Sequence, residues 1–336
     1  MLVRPRPRSR NRLGARGMVR AVRLDAVSAP QSTFLTPAGA PPKGYVRLDD
    51  VVELNRGPET RARRRDGFPI VIHADDFGET VPITDGIRRG IEAGVLTSTS
   101  IMANMPATAY ALARFSALAG QASFGVHLNL CEGRPLTCGR SLMDPAGGFH
   151  SKRSLIRRAC SGKLSLADLE KEISAQIALV RDAGVSISHV DGHKHLHQLP
   201  IVSIAVANVL PRFGIGRVRL TRVRRLVRLG KGGTLLRELA AWRAARIFRR
   251  AGLQSPVRVV DLADILNRGF GRRGPGSLVD ARGVVELCCH PEVPSASAPK
   301  PSSHRRSQEL EYLLSPQFRQ LLVDIQARLV SYWEVG

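Results

Sequence analysis

Aromatic residues are scarce in this sequence of 336 residues, in which phenylalanine, tryptophan and tyrosine together make up 5%. Proteins that bind single-stranded nucleic acid stack the bases on aromatic side chains, so this scarcity argues against that class of function. Long apolar runs are also missing, because no segment reaches the roughly 20 consecutive apolar residues of a transmembrane helix. We therefore expect no membrane-spanning segment.

Cysteine pairs and several catalytic motifs are absent too. The five cysteines include no C-x-x-C pair, and the adjacent Cys288 and Cys289 are poorly placed to bridge each other. A reduced, cytoplasmic location is expected. There is no G-x-S-x-G, no Walker A motif and no G-x-G-x-x-G after a strand. The sequence therefore lacks the motifs that are typical of serine hydrolases, P-loop enzymes and dinucleotide-binding enzymes.

Acidic residues are few, and 51 basic residues against 28 acidic ones leave a net charge of +23. The arginines concentrate in two segments, 4–65 and 217–250, and neither resembles a nucleic-acid-binding motif. We interpret them as a solvated basic surface and expect no nucleic-acid partner. Peripheral contact with an anionic membrane, or with a charged substrate carrier, stays open.

Residues 1–66 differ from the rest of the chain. They have no central apolar stretch or small-residue cleavage site of a signal peptide, no sustained helix or strand period, and a Pro/Gly-rich piece, PAGAPPKG. We predict a basic, disordered leader, and a true translation start at Met18 or later stays open. An ordered domain is predicted over residues 67–336.

From Phe68 onward, short apolar runs alternate with segments of helical period. The predicted strands lie at 68–78, 97–103, 123–130, 217–223, 257–262 and 284–290, and the segment 186–197 is predicted as a further strand that runs into a histidine-rich loop. Helices are predicted at 82–93, 107–118, 165–184, 201–210, 235–251 and 317–330. This alternation predicts an α/β fold with a mostly parallel sheet. With about seven strands, we favour an imperfect (β/α) barrel over an open sheet.

Polar side chains that bind metals follow four of these strands. They are Asp75 and Asp76, His127, the cluster from His189 to His197, and His290. Active sites of parallel α/β folds assemble at the carboxyl edge of the sheet, so these four places can meet in one pocket. There are structural alternatives to a metal site: one aspartate could cap a helix, and His127 could be a hydrogen-bonded residue of the core. Spacing alone does not decide which histidines of the cluster are ligands.

The residue types themselves indicate a hydrolytic metal site. Two imidazoles and one carboxylate leave open positions on a divalent ion, where a water molecule can be activated. The second aspartate would then serve as a general base, and a further histidine as a general acid.

Five motifs give the sequence a family resemblance. They are ADDFG at 74–78, GVLTSTSIM at 94–102, GVHLNL with GRPLT at 125–137, HVDGHKHLHQLP at 189–200 and ELCCHP at 286–291. In this order, over about residues 68–292, they resemble the YdjC-like carbohydrate deacetylases, the family that contains chito-oligosaccharide deacetylase. The resemblance implies a distorted barrel related to polysaccharide deacetylases and a divalent metal, Mg²⁺ or Zn²⁺. It places Asp76, His127 and His193 as metal ligands and Asp75 as the catalytic base.

The implied reaction removes an acetyl group from an N-acetylated sugar, oligosaccharide or glycolipid, with His290 or His197 protonating the leaving amine. A non-catalytic relative that binds metal or glycan is the alternative, although it would need no base such as Asp75. His73 and Glu292 depart from the usual family pattern, where a small polar residue and a glycine are common. The substrate is therefore left open, including a membrane sugar lipid of the family's hopanoid-associated branch. The oligomeric state, a homodimer among the options, is open as well.

Overall fold

The computed structural model describes residues 67–221, 232–268, 283–295 and 303–336. The predicted leader 1–66 and the arginine-rich stretch 222–231 lie outside the described residues. Within the described part, no helix is long and apolar enough to cross a membrane.

The centre of the fold is a parallel sheet, which confirms the predicted α/β class. Its seven strands are β1 (Phe68–Phe77), β2 (Ser98–Ile101), β3 (Ser123–Leu128), β4 (Ile187–Gly192), β5 (Arg258–Asp261), β6 (Val285–Cys289) and β7 (Ala327–Leu329). The strand order is β4-β3-β2-β1-β6-β5, and β7 pairs with the first residues of β1. Because β1 lies in the middle of the sheet, nine of its ten residues are buried, which explains its almost continuous apolar run.

Nine helices are described around this sheet. They are α1 (Val81–Glu92), α2 (Thr108–Leu118), α3 (Lys152–Cys160), α4 (Leu166–Asp182), α5 (Pro200–Val209), α6 (Gly232–Arg250), α7 (Leu262–Arg268), α8 (Ser303–Leu314) and α9 (Pro316–Asp324). Some of them begin at a side-chain cap: the Thr80 hydroxyl accepts a hydrogen bond from the Ile83 amide, and the Ser165 hydroxyl accepts one from the Asp168 amide. Apolar residues at helical spacing, such as Ile83, Ile87 and Ile91, face the core.

Two predicted elements differ from the structure. The segment 217–223, predicted as a strand, forms only isolated bridges through Arg217 and Val218, and its last two residues are not described. The predicted helix 317–330 ends at Asp324 and is followed by β7. A left-handed backbone at Gln326, with φ of 52°, turns the chain so that the next three residues pair with β1. Helices α3, α7 and α8 were not predicted.

Isolated bridges continue the sheet beyond its edge strand β4. From β4, a bridge joins Val190 to Val218, and another joins Arg217 to Gln254. The segment around Arg219 therefore lies beside β4, where one more barrel strand would stand, and this places its side chains at the centre of the fold.

Candidate active site

The carboxyl edge of the sheet brings the predicted polar residues together. Asp75 and Asp76 end β1, His127 lies one residue before the end of β3, His193 follows β4 directly, and His290 follows β6 directly. Asp76 has a left-handed backbone with φ of 72°, so the chain turns here and the carboxylates of Asp75 and Asp76 both come close to His127. The predicted convergence of four strand ends is thus present in the fold.

Asp76, His127 and His193 form one buried group. Nε2 of His127 and Nδ1 of His193 lie 3.2 Å and 2.9 Å from the same oxygen, Oδ1 of Asp76. One ligand atom from each residue lies within 4.8 Å of the others. The other nitrogen of His193, Nε2, is buried and lies 3.4 Å from Oε1 of Glu132. Two imidazoles and a carboxylate aimed at one point fit a divalent ion that keeps open coordination positions.

A second carboxylate orients His127. Nδ1 of its ring lies 2.8 Å from Oδ1 of Asp191 and 3.1 Å from the Ser100 hydroxyl, which leaves Nε2 directed at Asp76. Burial opposes a charge on the imidazole, yet Asp191 and the other carboxylates raise the pKa of His127 well above its usual value. Carboxylates orient the histidine ligands of metal sites in this way, so the contact with Asp191 is compatible with a ligand role for His127.

Asp75 has different partners from its neighbour. Both of its carboxylate oxygens accept hydrogen bonds from the guanidinium of Arg219, at 2.7 Å and 2.9 Å. Burial alone would raise the pKa of this carboxyl, but Arg219 and the nearby histidines hold the pKa well below its usual range. Asp75 is therefore a fixed, ionised carboxylate beside the group formed by Asp76, His127 and His193.

Arg219 is the largest side chain that is fully buried in the described residues, and the sequence did not point to it. It also pairs with Asp191 at 2.9 Å and with Glu286, whose other oxygen accepts a 2.6 Å hydrogen bond from the Tyr332 hydroxyl. The predicted basic segment 217–250 is thus not entirely solvated. Arg219 stands in a stretch that alternates basic and apolar residues, R-V-R-L at 217–220, so no local pattern marked it as buried.

His73 lies within this buried network. Its Nε2 is 3.2 Å from Asp75 and 3.3 Å from Asp191, and its Nδ1 is 2.9 Å from the Ser98 hydroxyl. Burial and the nearby Arg219 charge oppose protonation, but the two carboxylates raise the pKa of the ring above its usual value. His73 therefore connects the two carboxylates that Arg219 also holds.

Two further charged residues border the predicted metal ligands. Arg306, on α8, donates a 2.7 Å hydrogen bond to Oδ2 of Asp76, so it occupies the oxygen that faces away from the histidines. Glu132, after β3, lies 3.4 Å from Nε2 of His193 and pairs with Lys194. Neither Arg306 nor Glu132 was predicted, because both stand outside the motifs at the strand ends.

The two histidines predicted as acids have unequal surroundings. Nε2 of His290 lies 3.7 Å from Oδ2 of Asp75, and 24% of its side chain is exposed. His197 is buried and donates through Nε2 to the backbone carbonyl of Arg219. Burial lowers the pKa of His197 to about 4, so at neutral pH the ring is uncharged and its one N–H is held in the hydrogen bond to the Arg219 carbonyl. Its role as an acid, like that of His290, stays a prediction.

Comparison with known proteins places the chain among its relatives. A family model described as YdjC-like protein matches residues 69–324. The chain belongs to the YdjC-like family. The predicted family is thereby confirmed, and the match includes every predicted site residue.

Two curated relatives of this YdjC-like protein are both described as carbohydrate deacetylases. A carbohydrate deacetylase of Geobacillus stearothermophilus is 29% identical over 272 residues, which cover 79% of this chain and 96% of the relative. A human carbohydrate deacetylase is 32% identical over 252 residues, covering 67% and 75%. These relatives confirm the predicted enzyme class.

A solved structure shares the fold. The crystal structure of a protein of Enterococcus faecalis V583, described as a cellobiose-phosphate cleavage protein, superposes with a TM-score of 0.64 at 20% identity. The superposition covers 79% of this chain and 98% of that one.

Proposed function

We propose that this YdjC-like protein is a metal-dependent deacetylase that hydrolyses the acetamide of an N-acetylated sugar. One observation carries the proposal. A fixed carboxylate, Asp75, and a partly exposed imidazole, His290, lie beside a separate group of two histidines and one aspartate that suits a divalent ion. A protein that only binds metal or sugar has no need of an ionised base at that position.

Asp76, His127 and His193 would hold the ion. When bound, a divalent ion polarises a carbonyl and makes water a better nucleophile. Mg²⁺ and Zn²⁺ are the candidates, and two nitrogen ligands out of three favour Zn²⁺.

Asp75 would take a proton from the attacking water. The two hydrogen bonds from Arg219 keep its carboxylate ionised and in one orientation. Since the same contacts also lower its basicity, we infer that Asp75 gains its effect from position more than from a matched pKa.

His290 would give a proton to the nitrogen of the leaving group. In the complete reaction, the C–N bond of the acetamide breaks, the oxygen of water bonds to the carbonyl carbon, and acetate and a free amine are released. Asp75 removes one proton from the water, and the amine nitrogen receives one from His290. We favour His290 over His197 because His290 is partly exposed and close to Asp75, while His197 is buried and bonded to the backbone carbonyl of Arg219.

The substrate that we propose is an N-acetylated sugar, free or carried on an oligosaccharide or lipid. The test is acetate release from a panel of such compounds, measured beside the metal content of the purified protein. Acetate release that ceases after chelation and returns with Zn²⁺ or Mg²⁺ is the expected result. A protein that holds one metal ion yet releases acetate from no member of the panel would instead fit the non-catalytic alternative.

A further inference from the structure

The exposed face of α6 combines apolar and basic side chains in a way that the proposed reaction does not use. Over residues 239–250, the inner face of the helix buries Ala241, Ala244, Ala245 and Phe248. Residues three and four positions apart share a face of a helix. The outer face, as defined here, consists of Leu239, Trp242, Arg243, Arg246, Arg249 and Arg250, all of them exposed.

Leu239 and Trp242 are unusually open to solvent for their size. Leu239 is 55% exposed and Trp242 is 63% exposed. The guanidinium carbon of Arg246 lies 6.0 Å from the centroid of the Trp242 ring, so cationic and aromatic groups lie side by side. An apolar pair surrounded by positive charge indicates a surface that meets a partner.

Charge decides what kind of partner this is. The outer face carries four arginines, and residues 239–250 contain no acidic residue. A second copy of the chain would bring the same four arginines against them, which is repulsive. Residues 1–66 contain 15 basic and six acidic residues, and the other segments outside the described structure are also basic on balance. The complementary partner is therefore a separate, anionic one.

Among anionic partners, the side chains favour lipid over nucleic acid. A helix that lies on a bilayer presents arginines to the headgroups and inserts tryptophan and leucine among the acyl chains. A strand of nucleic acid would need several aromatic platforms, and the outer face has one. We propose that the outer face of α6 binds peripherally to the surface of an anionic lipid bilayer.

The helix that carries this surface packs next to the candidate active site. Helix α6 packs against α5 and against the turn His193–Gln198, which contains a predicted metal ligand. A protein bound to a membrane through α6 would therefore hold the turn His193–Gln198 close to the membrane. The proposal goes beyond deacetylation and does not depend on it, because binding to vesicles is measured without any sugar.

The experiment uses the full chain and extruded vesicles, with sedimentation as the measurement of bound protein. Vesicles of phosphatidylcholine with phosphatidylglycerol are compared with vesicles of phosphatidylcholine alone. Binding is expected only with the anionic lipid, and it should weaken from 50 to 500 mM salt, roughly the range over which charges become screened.

The double variant Arg243→Gln/Arg246→Gln should bind to the anionic vesicles about 30-fold more weakly than the wild type, since each arginine near the surface contributes about five-fold. Trp242→Ala should bind about ten-fold more weakly, because it removes the largest apolar group.

The matched control is Arg153→Gln/Arg157→Gln, which removes two exposed charges from α3. It should bind within about two-fold of the wild type, since these charges lie outside the proposed surface. Equal losses in the two double variants would overturn the proposal, because overall charge would then suffice. Absence of binding to anionic vesicles would overturn it as well. If the protein bound duplex DNA more tightly than vesicles, and Trp242→Ala bound the DNA as well as the wild type, the surface would be a nucleic-acid-binding one and the proposal would be wrong.

Discussion

Arg219→Met removes the cation that three buried carboxylates share. Asp75, Asp191 and Glu286 all contact this guanidinium in a region without solvent. Removal of one partner from a buried ion pair costs about 3–5 kcal/mol, because the remaining charge is left without compensation. For a domain of this size, that loss lowers Tm by roughly 6–10 °C. Methionine fills a similar volume, so the change reports charge more than packing.

Arg88→Met is the matched control. Arg88 also has two carboxylate partners, Asp85 and Glu92, but it stands on the exposed side of α1. Exposed ion pairs contribute about 0–1 kcal/mol, so its Tm should stay within roughly 2 °C of the wild type. The assay is thermal unfolding followed by circular dichroism on both variants. Equal Tm values for Arg219→Met and the wild type would refute the account of the network.

The difference in Tm between the wild type and Arg219→Met should also depend on pH. Burial opposes ionisation, but Arg219 holds the pKa values of Asp75 and Asp191 well below their usual range. Such carboxylates stabilise the fold above the pKa of the unfolded chain, about 4, and that stabilisation is lost as the pH falls further. The difference in Tm between the wild type and Arg219→Met should therefore be largest at neutral pH and shrink below about pH 4. A difference that is the same at pH 3 and pH 7 would contradict this reasoning.

Three further changes have clear expected outcomes. His290→Ala should lower kcat by about 100-fold and leave the metal content unchanged. His197→Ala should lower Tm and affect kcat less. Loss of metal in both variants would show that these histidines are metal ligands and not acids. Gly125→Ala places a methyl group 2.5 Å from the buried His189 ring and should cost about 1–3 kcal/mol by denaturant unfolding, whereas Gly216→Ala, with no atom within 4 Å, should cost little. A truncated protein that begins at Arg65 should stay soluble and active, and loss of soluble protein would count against a disordered leader.

The sequence predicted those parts of the site that lie in a strand and its following turn. ADDFG has an apolar run before it, so the position of Asp75 and Asp76 at a sheet edge follows from local pattern alone. His127 and His290 were found in the same way. A parallel sheet supplies the rest, since it brings the carboxyl ends of strands together.

Contacts over a long separation in the chain could not be predicted. Arg219 lies 144 positions from Asp75, and Arg306 lies 230 positions from Asp76. In a chain with a net charge of +23, an arginine gives no local signal of burial, because only tertiary structure supplies its partners. Strand β7 was missed for a similar reason: three residues after a helix carry too little pattern to be recognised.

The most direct test of the central claim compares Asp75→Asn with Asp76→Asn. Each variant is measured for bound metal by elemental analysis and for acetate release from an N-acetylated sugar that the wild type hydrolyses. Asp76→Asn should lose metal and activity together, because it removes a charged ligand. Asp75→Asn should keep its metal while kcat falls by about 100-fold to 10,000-fold, and added metal should not restore it. If Asp75→Asn loses the metal and Asp76→Asn keeps it, the two roles are reversed; if both stay fully active, the proposed mechanism is wrong.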